Sequence, residues 1–545
     1  MNDPRLPNSY DQVPYPSYPY SQTHPERLAT IATLLGLDPP RSPYRVLELG
    51  CAAGGNLIPM AAAAPNCHFV GVDLSPRQIA DGQAAIDELG LTNLKLHPLS
   101  ILDIDQSMGS FDYILCHGVY SWVNAEVQSK ILELCATQLS KNGIAYISYN
   151  THPGWRQRGA LRDMMRYHVS RFESETAPTR IRRARELLDF LVKATQRSDS
   201  AYGRMLREQH EMLQIHSDSY IFHEHLEQHN EPLWFLDFCG RLEEHGLRYL
   251  GDSDFGSMVA SMSFTEEVQV MLEELAPNLL EKEQYMDFVR NRAFRQTLVC
   301  HAHLNPNYDV KGERLRSLFA ASPTVARPAE GVHAEEQRQV FALPDGLSIS
   351  TPMSATRAAL EILSQAWPAR VAVSELVDRS LDSADKSAKD DASIDDEPAP
   401  DSPADQQRRL EISLLTAYAS SSGRLLELSI EPLPPVGVER PESRPLVSSS
   451  VRHQAERGWP VVNRRHEIVE VAPIDRRILP LLDGTRSIAD TASQLVELLQ
   501  TGQLSICDER DQPISDQHRV REILDHLVPE RIQFYLRGSL IHSAK

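Results

Sequence analysis

Cysteine is sparse and unpaired in this chain: the seven residues Cys51, Cys67, Cys116, Cys135, Cys239, Cys300 and Cys507 include no C-x-x-C pair. An odd, unclustered set speaks against a disulfide frame or a cysteine zinc site and reads as reduced thiols in a cytosolic chain. Long hydrophobic runs are missing too. No stretch is apolar for long enough to span a bilayer, and no basic-then-apolar leader opens the sequence. Stable membrane insertion is therefore not expected, and the expected location is the cytoplasm. Positive charge is in deficit, with 55 Lys and Arg against 75 Asp and Glu and a formal net charge of -20. A chain this acidic is repelled as a whole by nucleic acid and anionic membrane, so neither is expected as a partner. The remainder is ordinary globular composition, 41% hydrophobic and 24% charged, in 545 residues that exceed a single core.

Four tyrosines (Tyr10, Tyr15, Tyr18, Tyr20) and five prolines crowd the first twenty residues. Proline excludes regular helix there. Aromatics at that density are expected to be packed against something, since disordered segments are poor in them. From Pro25 strand and helix alternate: helix 25–37, strand 44–49, helix 57–64, strand 67–72 and helix 75–89, which has Ser75 as N-cap and Pro76 in its first turn. Strands 94–96 and 111–116, helix 123–139 and strand 143–148 follow. This alternation predicts a parallel sheet covered on both faces. Residues 154–210 read as arginine-rich helix, with 13 Lys/Arg against 7 Asp/Glu, and 211–303 continues mainly helical. Residues 382–405 reverse the composition, with nine acids, two lysines and three prolines, and are expected to form a flexible insert. The flanking stretches resemble two copies of three helices followed by a strand, the winged-helix order. The first copy is 356–365, 373–380, 407–419 and strand 425–430; the second is 474–482, 487–499, 517–527 and strand 532–536.

The run Val46-Leu47-Glu48-Leu49-Gly50-Cys51-Ala52-Ala53-Gly54-Gly55-Asn56 joins an apolar strand to a helix, the context in which a glycine-rich loop is meaningful. Gly50 permits a tight turn and Gly54 a close backbone approach to a ligand, with Ala52 where a middle glycine often stands. Glu48, two residues before Gly50, suits a ligand with an amino-acid tail and no pyrophosphate. Asp73, in Gly71-Val72-Asp73-Leu74-Ser75, ends the second strand 23 residues after Gly50, where a carboxylate can accept both ribose hydroxyls. In Leu99-Ser100-Ile101-Leu102-Asp103 the acid can accept from an adenine amino group, with Asp105 as competitor. After the fourth strand, His117-Gly118-Val119-Tyr120-Ser121-Trp122 reaches the ligand edge of the sheet. Tyr120 and Trp122 suit an aromatic wall around a lysine ammonium, and His117 suits a proton acceptor or a structural hydrogen-bonder. Tyr149 to Trp155 ends at the same rim. His223 and His225 point apart on a helix and do not share a metal ion.

The three cofactor elements together resemble class I methyltransferases. With Tyr10 to Tyr15, Thr23-His24-Pro25, Tyr220 to Leu226 and Asp287 to Thr297, the resemblance extends to bacterial methyltransferases that carry a methyltransferase regulatory domain. Some of these are protein-lysine methyltransferases acting on outer-membrane proteins. The resemblance is specific to about residue 303 and looser beyond it. It implies an α/β fold: a Rossmann-like class I methyltransferase core with a mostly parallel seven-stranded sheet, a helical middle domain and winged-helix-like C-terminal domains. The corresponding boundaries are 1–170, 171–310, 311–440 and 441–545. The implied cofactor is S-adenosyl-L-methionine, held by Tyr20, Glu48, Gly50, Cys51, Ala52, Gly54, Asn56, Asp73, Leu74, Ser75, Asp103, Ile104 and His117. His117, Tyr120, Trp122 and Asn150 are the implied catalytic set. The implied partner is a protein presenting lysine side chains, and a homodimer is allowed. A small-molecule N- or O-methyltransferase and a non-catalytic S-adenosylmethionine-binding regulator are the alternatives. The about 390 residues beyond the core favour a macromolecular acceptor. Acidic residues without bases in 487–499 (Asp490, Glu497) disfavour DNA.

Overall fold

The computed structural model describes residues 12–15, 17–172, 174–328, 339–390, 402–435, 443–507, 514 and 516–544. Its centre is a sheet of β1 (Arg45–Leu49), β2 (His68–Asp73), β3 (Leu94–Pro98), β4 (Phe111–Cys116), β5 (Leu139–Asn150), β6 (Leu247–Asp252) and β7 (Phe294–His301), in the order β3-β2-β1-β4-β5-β7-β6. The first five strands pair in parallel, and β7 runs antiparallel between β5 and β6. Every residue of β1 after Arg45 is buried, as expected of a strand covered on both faces. On one face Leu47, Leu49 and Ile114 pack with Ile131 and Phe238 from helices Ala125–Gln138 and Phe235–Glu244. On the other, Val46 and Tyr113 meet Leu28 and Ile31 of helix Pro25–Leu34. This second core continues without a break through Leu315, Leu363, Leu376, Leu410 and Leu426. The 311–440 region therefore shares its hydrophobic core with the sheet.

The middle of the chain is less helical than its sequence suggests. Helices Trp155–Val169, Ala177–Thr195 and Ala201–Ile215 form a layer around Leu161, Ile181, Leu188 and Leu206. The chain then returns to supply β6 and β7. Strand β7 escaped the periodicity reading because two of its fully buried residues are Arg295 and Thr297, where a strand pattern calls for apolar side chains.

The C-terminal region shows the two three-helix units. In the first, Ser354–Ala366, Val373–Asp390 and Pro403–Ala419 lead to strand Glu427–Ser429. The acidic insert divides here: 382–390 extend the second helix, whereas 391–401 lie outside the described residues. The second unit corrects one expectation, because 532–536 is not a strand. It belongs to helix Gln517–Arg537, whose buried residues Val520, Leu524, Val528, Ile532 and Tyr535 recur at helical spacing despite Pro529. The strand comes later, at Ile541–Ala544, antiparallel to Pro445–Val447.

A buried ionic cluster ties β7 to the helix before it. Arg295 is fully buried, donates to Asp287 (Nε to Oδ2, 2.7 Å) and Glu283 (Nη2 to Oε2, 3.0 Å), and stacks 3.9 Å from the Phe235 ring centroid. Arg292 donates to Asp252 at 2.6 Å beside it. Removing one partner from such a cluster strands the others unpaired in low dielectric. Arg295→Met is expected to destabilise the fold by about 3–5 kcal/mol, measured as a fall in the denaturant midpoint. Glu283→Gln, which keeps an acceptor, is expected to cost less.

Candidate functional site

A cavity of about 370 Å³ opens at the C-terminal ends of β1, β2, β4 and β5, the ligand edge of a parallel sheet. The loop after β1 forms one wall. Gly50 has φ +76°, and a Cβ there would stand 2.5 Å from Val119 Cγ2, so only glycine fits the turn. Ala52 also adopts a left-handed backbone, φ 50°, and its N–H donates to Asp73 Oδ2 at 2.8 Å. That hydrogen bond explains how alanine is held where a glycine would be unstrained. Ser75 N–H donates to Asp73 Oδ1 at 2.9 Å. Both oxygens of Asp73 thus accept backbone N–H bonds, which fix the carboxylate at the end of β2 on the cavity wall, where a carboxylate suits ribose hydroxyls.

Glu48 and Asn56 form the polar floor. Asn56 Nδ2 donates to Glu48 Oε1 at 2.8 Å, while Glu48 Oε2 is buried without a hydrogen-bond partner among the described residues. Burial pushes the Glu48 carboxyl up to about 7, against the pull of the Asn56 hydrogen bond and with a further push from Asp73. An orphaned carboxylate oxygen on a cavity wall is complementary to an ammonium group. It fits the amino-acid end of S-adenosylmethionine, which Glu48 would hold while Asp73 holds the ribose.

The other expected residues divide. Tyr20, Cys51, Leu74, His117, Trp122 and Asn150 line the cavity with Glu48, Gly50, Ala52, Asn56 and Asp73. Gly54 and Ser75 do not face it. They shape its wall, Gly54 through a φ of +74° that packs the loop on Leu96, and Ser75 as a buried N-cap accepting from Gln78 N–H at 3.2 Å. Asp103 and Ile104 lie elsewhere: Asp103 is exposed at the end of a 3₁₀ turn, Ile101–Asp103, and Ile104 is buried in the core. At three residues per turn Ile101 and Asp103 point about 120° apart, and it is Leu99, Ser100 and Ile101 that line the cavity. Tyr120 is likewise displaced from the proposed aromatic wall. Its ring is fully buried edge-on to Phe238 (5.4 Å) and Tyr149 (6.4 Å). His117 is in place but weakly basic, because burial pushes it down to about 4. Its Nδ1 stands 2.9 Å from the Tyr146 hydroxyl, and its ring 4.0 Å from that of Tyr20.

The remaining walls come from further along the chain. Tyr15, Ser17 and Tyr18 of the N-terminal arm line the cavity, while Tyr10 lies outside the described residues. Trp155, Arg158, Tyr220, His223, Glu224 and Phe294 complete it. Glu224 sits on a π-helical turn, Ile221–Leu226, a feature frequent at functional sites. Burial pushes its carboxyl up to about 7 against the opposing charges of Arg158, His223 and Arg162. His223 Nε2 donates to Val13 O at 2.7 Å, pinning the arm, and His225 is buried behind the cavity. Sequence reasoning weighed His223 and His225 as metal ligands and so passed over the acid between them as a cavity group.

Three family models match the chain: "Methyltransferase domain" over residues 40–208, "Predicted methyltransferase regulatory domain" over 217–301 and "PKMT, C-terminal winged helix domain" over 443–540. The structure of PKMT2 from Rickettsia typhi superposes with a TM-score of 0.82 at 29% identity, covering 97% of this chain and 100% of that one. PKMT2 in complex with AdoHcy gives 0.81 and 30% over the same shares. Uncharacterized protein RP789 of Rickettsia prowazekii is 44% identical over 310 residues, 57% of this chain and 55% of its own, so the chain spans about half the length of that relative. Fold and site thus define a class I S-adenosylmethionine-dependent methyltransferase. The chain belongs to the PKMT family of these enzymes.

An ammonium against Glu48 favours the ionised carboxyl, so binding near neutral pH expels a proton. With the carboxyl at about 7, S-adenosylhomocysteine binding at pH 7 is expected to release about half a proton and to weaken as pH falls toward 6. Calorimetry in buffers of different ionisation enthalpy reads this directly. Glu48→Gln is expected to abolish the release and lower affinity about tenfold to a hundredfold.

Proposed function

We propose that the protein methylates lysine side chains of a protein substrate. The observation that carries this reading is a carboxylate, Glu224, set among aromatic rings on the walls of the cofactor cavity. A lysine ammonium has a pKa of about 10.4 in water and must shed a proton before its nitrogen can attack. Ionised, Glu224 can hold the ammonium. At about 7 it is also matched to accept the proton near neutral pH, which His117 at about 4 is not. Trp122 and Tyr220 offer the faces along which the apolar lysine stem can lie, and Trp122 is braced edge-on by Trp155 at 6.1 Å. Asn150 Nδ2 is buried at the wall without a partner among the described residues, and offers a donor to the acceptor backbone. The bound cofactor supplies an activated methyl on a sulfonium, so the protein's own task is to align the amine and exclude water.

The substrate class is supported by PKMT2, a protein-lysine methyltransferase by name. Helix Ile488–Gln500 carries Asp490 and Glu497 and no basic residue, which supports a protein rather than a nucleic-acid partner for the winged-helix unit. Among the described residues no helix is long and apolar enough to cross a membrane. A cytoplasmic site of action and a homodimer remain part of the proposal.

Incubation of lysate with tritiated cofactor and purified enzyme, followed by fluorography, is expected to label discrete protein bands. Label confined to the small-molecule fraction would support the small-molecule alternative, and cofactor binding without transfer the regulator. Glu224→Gln is expected to lower kcat about a hundredfold while leaving S-adenosylhomocysteine affinity within about twofold. The wild-type rate should climb with pH through about 7, as Glu224 ionises, and the variant should lose that inflection. Trp122→Ala is expected to impair transfer far more than cofactor binding.

A further inference from the structure

The cofactor loop is touched from the far end of the chain. In the second winged-helix unit, strands Val461–Val462 and Ile468–Val469 form a short antiparallel hairpin. Its loop carries His466 in a left-handed backbone, φ +60°. That conformation is uncommon for a residue with a side chain, and is held where the surroundings over-determine it. The neighbouring residue supplies the hold. Arg465 donates to Glu427 Oε2 at 2.6 Å and to Pro368 O at 2.5 Å, and stacks 4.2 Å from the Trp367 ring centroid. Burial would raise the Glu427 carboxyl, but Arg370 and Arg465 hold it down at about 2. The hairpin is thus clamped onto the first winged-helix unit.

The clamp delivers the His466 ring into the methyltransferase core, where it is 3% exposed. Its Nε2 lies 2.8 Å from Asn56 Oδ1. The other contacts of Asn56 fix the direction of this bond. Tyr20 N–H donates to the same oxygen at 2.9 Å, so that atom is the amide oxygen. Nδ2 donates to Glu48 Oε1 at 2.8 Å and to Thr23 Oγ1 at 3.0 Å. Both lone pairs and both hydrogens of the amide are thereby used. His466 must carry its proton on Nε2 and donate. Burial, with a further push from His24, holds the imidazole well below its ordinary value, so it is neutral.

We propose that His466 is a positioning residue of the cofactor site: it fixes the Asn56 amide, which holds one oxygen of Glu48 and leaves the other for the ammonium of the cofactor. The C-terminal unit then completes the cofactor pocket as well as whatever it does toward substrate. Without the His466 donor, the buried amide oxygen keeps the Tyr20 N–H and only a long 3.4 Å approach of the Thr23 hydroxyl, and the amide is held less firmly toward Glu48. This inference rests on the assignment of the cavity to S-adenosylmethionine.

The test compares full-length His466→Gln, whose side-chain amide can donate in the same direction, with His466→Met, which keeps the bulk and removes the N–H. S-adenosylhomocysteine affinity by calorimetry is expected to stay within about threefold of wild type in the first and to weaken about tenfold in the second. The cofactor KM should rise in parallel, with kcat at saturating cofactor unchanged. In a double-mutant cycle the losses from His466→Met and Asn56→Ala should not add, because both act through one amide. Equal affinities in the Gln and Met variants, or additive losses, would overturn the proposal. Failure of the wild-type protein to bind S-adenosylhomocysteine would instead overturn the assignment of the cavity.

Discussion

The fully bonded amide of Asn56 is the constraint on which the site depends. Three segments meet at its four hydrogen-bonding positions: the N-terminal arm at Tyr20 and Thr23, the central strand at Glu48 and the C-terminal hairpin at His466. None of these bonds is strong against its solvated alternative, each contributing about 1 kcal/mol net. Their value lies in exclusivity. A buried amide with every position filled has one orientation, and that orientation leaves a single Glu48 oxygen facing the cavity.

The same logic of shared burial explains why the domains do not behave as beads on a string. One hydrophobic core runs from Leu28 and Val46 to Leu410 and Leu426, with the first winged-helix unit packed on helix Pro25–Leu34, which itself lies against the sheet. The second has its own core around Val451, Leu495 and Tyr535, and reaches the sheet region through polar contacts such as Arg457 with Glu88 (Nη2 to Oε2, 2.7 Å). An exposed pair of that kind adds little stability. The hairpin loop carrying His466 is therefore the more consequential attachment.

Legibility in the sequence followed locality. The strand-glycine-helix run, Asp73 at the end of β2 and the Ser75 cap are short-range patterns, and the structure places them as the pattern implies. Asp103 and Tyr120 failed for a local reason of another kind: a single 3₁₀ turn decides which of two neighbouring residues faces inward, and composition does not encode that phase. Strand β7 was hidden because a buried arginine and threonine stand where apolar residues signal a strand. The continuous helix Gln517–Arg537 was hidden by its internal proline. Glu224 and His466 could not be assigned from periodicity, since their partners lie far away in sequence. The nearest available signal for His466 was two arginines preceding a histidine in a short polar loop between apolar pairs.

The arm over the cavity sets an order of events. Tyr15, Ser17, Tyr18 and Tyr20 line the space that Glu48 and Asp73 also line. The arm is tied down by Gly55 N–H to Ser17 Oγ at 2.7 Å, Tyr20 N–H to Asn56 Oδ1 and His223 to Val13 O. On the proposed lysine-methylating reading, cofactor exchanging on the arm's side of the cavity would pass those ties, while a lysine already inside would wait. Processivity then becomes a race between two openings. If the arm releases more slowly than the substrate protein departs, each encounter leaves one methyl; if it releases faster, the same nitrogen is met again and accumulates two or three.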